Sequence, residues 1–273
     1  MGRGRQAIEE EWAEYGTDED RECLHYVLHE AAGTSEALFP NGRRDAGRSP
    51  MAFDDFVQHE RSRAAGLSAA HVLALRLYTT AAYKTINTSL RTYGEGKRFA
   101  ASVGFLTDGI KKLRRPDQGR EPASASKPDQ VSSDSRSSGS GGSDGGGGGG
   151  GGSGGGGGPT TVRNDVVLWR GLRNTSIPEE FVRNGGTMHA PLSTTHDPEV
   201  ALRYAIGKRV VLFRFVASSF MNVAPDLDFL SAFPAERECL YPPMTYLQPG
   251  KQRSMLLGGH EVDVLDVTPY MGT

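Results

Sequence analysis

The order of residue patterns along the chain predicts an α+β fold, with helices first and a strand-rich part after them. Three observations predict it. The first half carries long apolar-rich stretches without Gly or Pro, such as "SAAHVLALRLYTTAAYKTINTSL". The second half carries short runs rich in Val, Phe and Trp, such as "DVVLWR" and "RVVLFRFVA". Between them lies a tract that becomes Ser-rich and ends in nearly pure glycine. The division is therefore a mainly helical region at 1–115, a disordered linker or inserted loop at 116–158, and an α+β core at 159–273.

In the helical region, Ser68 suits an N-cap, and the apolar run follows it directly. In "SVGFLTDGIKKLRR" the apolar residues Val103, Leu106, Ile110 and Leu113 form a helical stripe, and the basic residues at its end suit the C-terminal dipole. The tract from Pro116 to Gly158 holds almost no apolar side chains, so burial cannot offset the entropy of ordering it. A Gly-rich phosphate cradle would need a strand before it and a helix after it, and neither pattern is present.

The core begins with the strand "DVVLWR". Ser176-Ile177-Pro178-Glu179 reads as a capping box, with Asn184-Gly185-Gly186 as the helix stop. Asp197-Pro198-Glu199 starts a second helix, with Asp197 as N-cap and Pro198 at the first helical position. "RVVLFRFVA", "MTYLQ", "SMLLGG" and "HEVDVLDV" read as further strands.

Composition limits the function. The 273 residues carry a formal net charge of -2, which gives no bulk attraction for nucleic acid or an anionic membrane surface. No apolar run reaches the length of a membrane span, and the charged N-terminus has no signal-peptide core. Two cysteines, Cys23 and Cys239, make no disulfide framework, and the histidines show no metal spacing. The expectation is an intracellular, cytoplasmic protein without a metal, a nucleic-acid partner or a membrane partner.

The chemistry concentrates in three motifs of the second half. "LWRGL" ends a strand with Arg170 followed by Gly171. "APLSTTHDPE" places Ser193, Thr194 and Thr195 in a row, and "SAFPAERECLYPP" places Glu236 and Glu238 two positions apart. If Glu236–Leu240 is extended, both carboxylates face one side, where they repel unless a cation or polar ligand lies between them. Each motif alone also suits a solvated surface. Their order and spacing resemble the mono-ADP-ribosyltransferases of the arginine–serine–glutamate class. That class includes clostridial and cholera-type toxins and the arginine-specific ecto-enzymes of animals. The likeness covers about Val166 to Tyr246. Thr195 stands where the class usually has a second Ser, and keeps the hydroxyl.

The resemblance implies a core of two small packed sheets, NAD as substrate, and transfer of ADP-ribose to an arginine of a protein acceptor with release of nicotinamide. It also implies roles. Arg170 binds the diphosphate, for which a guanidinium is well shaped. Gly171 lets backbone approach the nicotinamide amide. Ser193 hydrogen-bonds Glu238, and Thr194 lines the NAD site beside it. Glu238 contacts the ribose 2′-OH and stabilises oxocarbenium character as nicotinamide leaves. Glu236 binds the acceptor guanidinium and helps remove its proton. Phe233 packs on the acceptor, and Tyr204 contacts nicotinamide, although a helical Tyr at an apolar position also suits a core. The alternatives are an NAD glycohydrolase, which would not need Glu236, and a non-catalytic binding module, which would not need all three motifs.

Overall fold

The apolar run after Ser68 folds as the buried axis of the helical half. In this computed structural model, residues 2–92, 98–114, 166–207 and 209–272 are described. The Ser/Gly tract read as a linker at 116–158 lies outside them. Helices α1 (Arg3–Tyr15) and α2 (Asp18–His29) come first. A hairpin of β1 (Leu38–Phe39) and β2 (Gly42–Arg43) follows, then short α3 (Phe53–Gln58) and α4 (Glu60–Ala64). The half ends with α5 (Ala69–Tyr78), α6 (Tyr83–Arg91) and α7 (Ala100–Arg114).

Ser68 is the N-cap of α5, and its backbone N–H donates to Nδ1 of His71 at 2.9 Å. The expected long helix breaks between Tyr78 and Tyr83 for a local reason. Thr79 and Thr80 turn their hydroxyls back onto the carbonyls of Arg76 and Leu77, at 2.7 and 2.6 Å. Hydroxyls bonded this way compete with helical continuation. The α7 stripe holds as expected, with Leu106 and Ile110 fully buried. Its first turn is capped from a distance: Glu11 on α1 accepts from the N–H groups of Ala101 and Ser102. A carboxylate there satisfies orphan donors at the positive end of the helix.

The second half contains β3 (Val166–Arg173), α8 (Glu179–Asn184), β4 (Gly186–Met188), β5 (Leu192–Thr195) and α9 (Pro198–Ala205). Then come β6 (Val210–Ala217), β7 (Glu238–Tyr241), β8 (Thr245–Leu257) and β9 (His260–Tyr270). Asp197 caps α9 and Pro198 opens it, as expected. The capping box at Ser176 does not form: α8 starts at Glu179, with Pro178 as N-cap and no side-chain cap. A residue before proline is held out of the helical region, so Ile177 cannot join the first turn. "MTYLQ" and "SMLLGG" are one strand, β8, because the Pro249–Gln252 interruption is absorbed as a bulge against β9.

The strand order is β4-β8-β9-β6-β3-β5-β7, with β6 and β9 parallel and the other pairs antiparallel. β3 and β5 meet at a single pair, Trp169 with Thr195. The seven strands form one sheet, to which the β5–β7 pair is joined at that point, and the β1–β2 hairpin is a second, two-stranded sheet. The helical and strand halves described here belong to one compact unit. Leu227, Leu230 and Ala232 from the strand half are buried in the same apolar cluster as Trp12, Leu73 and Leu106 from the helices. Among the described residues, no helix is long and apolar enough to cross a membrane.

Candidate active site

Where β3 and β5 part, Arg170, Ser193 and Glu238 line one cleft, of about 780 Å³ with its open mouth included. Beyond the Trp169–Thr195 pair the ladder stops, and the carbonyl of Ser193 accepts instead from Nη1 of Arg170, at 2.6 Å. The guanidinium thus ties the two strands together at the floor of the cleft. Its five donors exceed this one bond, which leaves others for a ligand.

Glu238 opens β7 and is only 6 % exposed. Burial pushes its carboxyl up to about 7; a hydrogen bond from Ser193 and the charge of Arg170 pull it down, while the carboxylates of Glu236 and Asp228 push it up. Desolvation is the largest of these effects. The group is held close to the point where it would gain most from a cation placed against it.

Glu236 also lines the cleft, but not by the expected route. Pro234–Glu236 is a 3-10 turn, and Arg237 sits in the left-handed region at φ 48°, so the segment is not extended until Glu238. The two carboxylates face one cleft because a turn redirects the chain between them, not because strand alternation puts them on one side. Thr195 Oγ1 donates to the carbonyl of Glu236 at 2.6 Å, and the hydroxyl of Tyr204 donates to its carboxylate. Burial pushes the Glu236 carboxyl up, against the pull of Tyr204 and Arg203.

Several solved structures of ADP-ribosyltransferases resemble the chain. Vis toxin from Vibrio splendidus matches at 14 % identity over 81 % of this chain and 82 % of that one, with a TM-score of 0.47. HopU1 of Pseudomonas syringae pv. tomato DC3000 matches at 14 % identity over 93 % and 98 %, with a TM-score of 0.46. The eukaryotic mono-ADP-ribosyltransferase ART2.2 matches at 13 % identity over 99 % and 86 %, with a TM-score of 0.48. No family model and no curated protein matches the chain. At such identities chemistry resides in the side chains rather than in the fold.

The remaining expected residues divide. Gly171 lines the cleft, but its missing side chain answers to α9: a Cβ there would lie 2.1 Å from the carbonyl oxygen of Ala201. Thr194 lines the cleft while its hydroxyl donates to the carbonyl of Cys239 at 2.8 Å, locking β5 to β7. Tyr204 is at the cleft, with its hydroxyl on Glu236. Phe233 is a correction. It is 8 % exposed, outside the cleft lining, and its ring meets Phe39 edge-on with centroids 6.2 Å apart. The β1–β2 hairpin covers the ring that was expected to pack on the acceptor.

The wall opposite the strands was not anticipated from the sequence. Tyr78, Tyr83 and Asn87 from α5 and α6, with Asn41 at the hairpin tip, line the same cleft. The hydroxyl of Tyr78 lies 3.1 Å from both Asn87 Oδ1 and the carbonyl of Pro191. A signal existed: Tyr83 and Asn87 are four apart and so share one helical face, where two polar groups in an otherwise packed region need partners.

A buried charge cluster holds the segment that leads to Glu236. Asp45 is fully buried; it accepts from Nη2 of Arg76 at 2.9 Å and from the hydroxyl of Tyr26, and is ion-paired with Arg48, whose Nε lies 2.8 Å away. Arg76 also donates to the carbonyl of Leu230 at 2.9 Å, and Arg48 to those of Ser231, at 3.0 Å, and Asp228. Asp45 donates its N–H to Ala232, whose own N–H goes to Thr79.

Proposed function

We propose that the protein transfers ADP-ribose from NAD to an arginine side chain of a protein acceptor and releases nicotinamide. The observation that carries this reading is Glu238, buried and bonded by Ser193, in a cleft shared with Arg170 and Glu236. Arg170 supplies guanidinium donors for the diphosphate. The bond from ribose to nicotinamide breaks with its electron pair leaving on nicotinamide, and the ribose becomes cationic. A carboxylate already prepared in a poorly solvated site stabilises that charge without reorganising. A guanidinium nitrogen of the acceptor then forms the new bond and loses a proton to Glu236. Glu236 is the feature that favours transfer over hydrolysis, since water as acceptor needs no second carboxylate to orient it.

The test is nicotinamide release from NAD, with and without agmatine as an arginine analogue. Release together with a modified agmatine product is expected. Release with free ADP-ribose and no modified agmatine makes the protein a glycohydrolase, and no release at all overturns the reading.

A further inference from the structure

The turn that carries Glu236 is gripped at two points by the segment that follows Ser193. Thr195 takes the backbone carbonyl of Glu236, and Tyr204 takes its carboxylate. The flanking residues Ala235 and Arg237 are exposed. Tyr204, by contrast, stands on a fixed support. Its helix, α9, is capped by Asp197 at 2.8 Å and presses on β3 at Gly171, where no side chain fits. A phenylalanine at this place would supply the ring alone. The hydroxyl is an added group, and its partner is the acceptor carboxylate rather than the cleft floor.

We infer that Tyr204 is a positioning residue for Glu236, its hydroxyl aiming the carboxylate at the acceptor and thereby setting transfer against hydrolysis. The inference rests on the reading of Glu236 as the acceptor-binding residue. The groups facing Glu236 are Tyr204 and Arg203 on α9 and Glu238 on β7; Tyr83 on α6 faces Tyr204 in turn. Burial, followed by the bond to Glu236, pushes the Tyr204 hydroxyl well above its ordinary range, so it stays a donor. That donor favours the ionised form of Glu236.

The experiment compares wild type, Tyr204→Phe and Glu236→Gln as full chains, with agmatine transfer and NAD hydrolysis followed from about pH 5 to about pH 9. Tyr204→Phe keeps the ring and removes the hydroxyl. The ratio of transfer to hydrolysis is expected to fall by about 3- to 10-fold, the net worth of a typical hydrogen bond at a partly exposed site. The KM for agmatine should rise, and the acid limb of transfer should move to higher pH while that of hydrolysis stays. A purely structural role would lower both reactions together and move neither limb. If Glu236→Gln loses transfer but Tyr204→Phe keeps both ratio and limb, the inference fails and the proposed function stands. If Glu236→Gln modifies agmatine as wild type does, or wild type releases no nicotinamide, the functional reading fails and this inference with it.

Discussion

Asp45 and Glu238 are both buried carboxylates set among arginines, yet their surroundings differ. Asp45 is met by two guanidinium groups and a tyrosine hydroxyl, all from the helical half. Glu238 has one hydroxyl bond from Ser193 and the charge of Arg170, set against two carboxylates nearby. A compensated buried charge fixes structure, and removing one partner strands the others. An under-compensated one costs stability and is ready for a positive ligand. The first cluster ties the chain together, and the second leaves a carboxylate facing the cleft.

The strongest way to break that contrast is Asp45→Ala. It leaves Arg76, 2 % exposed, and half-buried Arg48 without their shared anion. Unfolding in denaturant should show a loss of about 3–5 kcal/mol. A loss below about 1 kcal/mol would mean that the cluster is replaceable.

Glu238→Gln should do the reverse. Both nicotinamide release and transfer should fall by about 10²- to 10³-fold, the effect of removing one charge-stabilising contact, while the fold holds. Its pH dependence sharpens the point. Burial raises the folded carboxyl to about 7, above the ordinary glutamate range, so its stability contribution is full below that ordinary range and is lost as pH rises through about 7. Over that window the wild type should lose about 3 kcal/mol relative to Glu238→Gln. Catalysis by ionised Glu238 should rise across the same window, so activity and stability should run in opposite directions with pH. Parallel curves would refute this assignment.

The smallest effect concerns His71, a third buried titratable group, which caps its own helix and reaches α7. Its Nδ1 accepts from the N–H of Ser68 at 2.9 Å, and its Nε2 lies 2.8 Å from Asp108. Burial lowers its pKa, against the pull of Asp108, so the neutral ring stabilises above the unfolded value and that support is lost as pH falls. His71→Gln keeps an acceptor at the capping position without titrating. The stability advantage of wild type over this variant should shrink as pH falls from neutral to about pH 5. A flat difference would show that the cap does not depend on the ring.

Part of the cleft was legible because three short motifs set charged and hydroxyl residues in a distinctive order. Arg170, Ser193, Glu236 and Glu238 were each identified, and all four line one cleft. Phe233 was misplaced because sequence spacing cannot show that a hairpin some two hundred residues upstream covers its ring. The helix after Ser68 was legible, but its break was not, since Thr79 and Thr80 act through hydroxyl geometry rather than through propensity.

By itself the sequence determined the α+β order, the strand and helix types, the cap at Asp197, and the residues that could do the chemistry. These follow from local periodicity and from functional groups, which need no distant partner to be recognised. Tertiary structure alone decided the rest: that the helical half supplies one wall of the cleft, that Gly171 answers to α9, that Tyr204 reaches Glu236, and that Asp45 anchors the segment before it. Each depends on groups brought together over long loops. There burial and pairing set the charge and orientation of a side chain, and neither can be read from its neighbours along the chain.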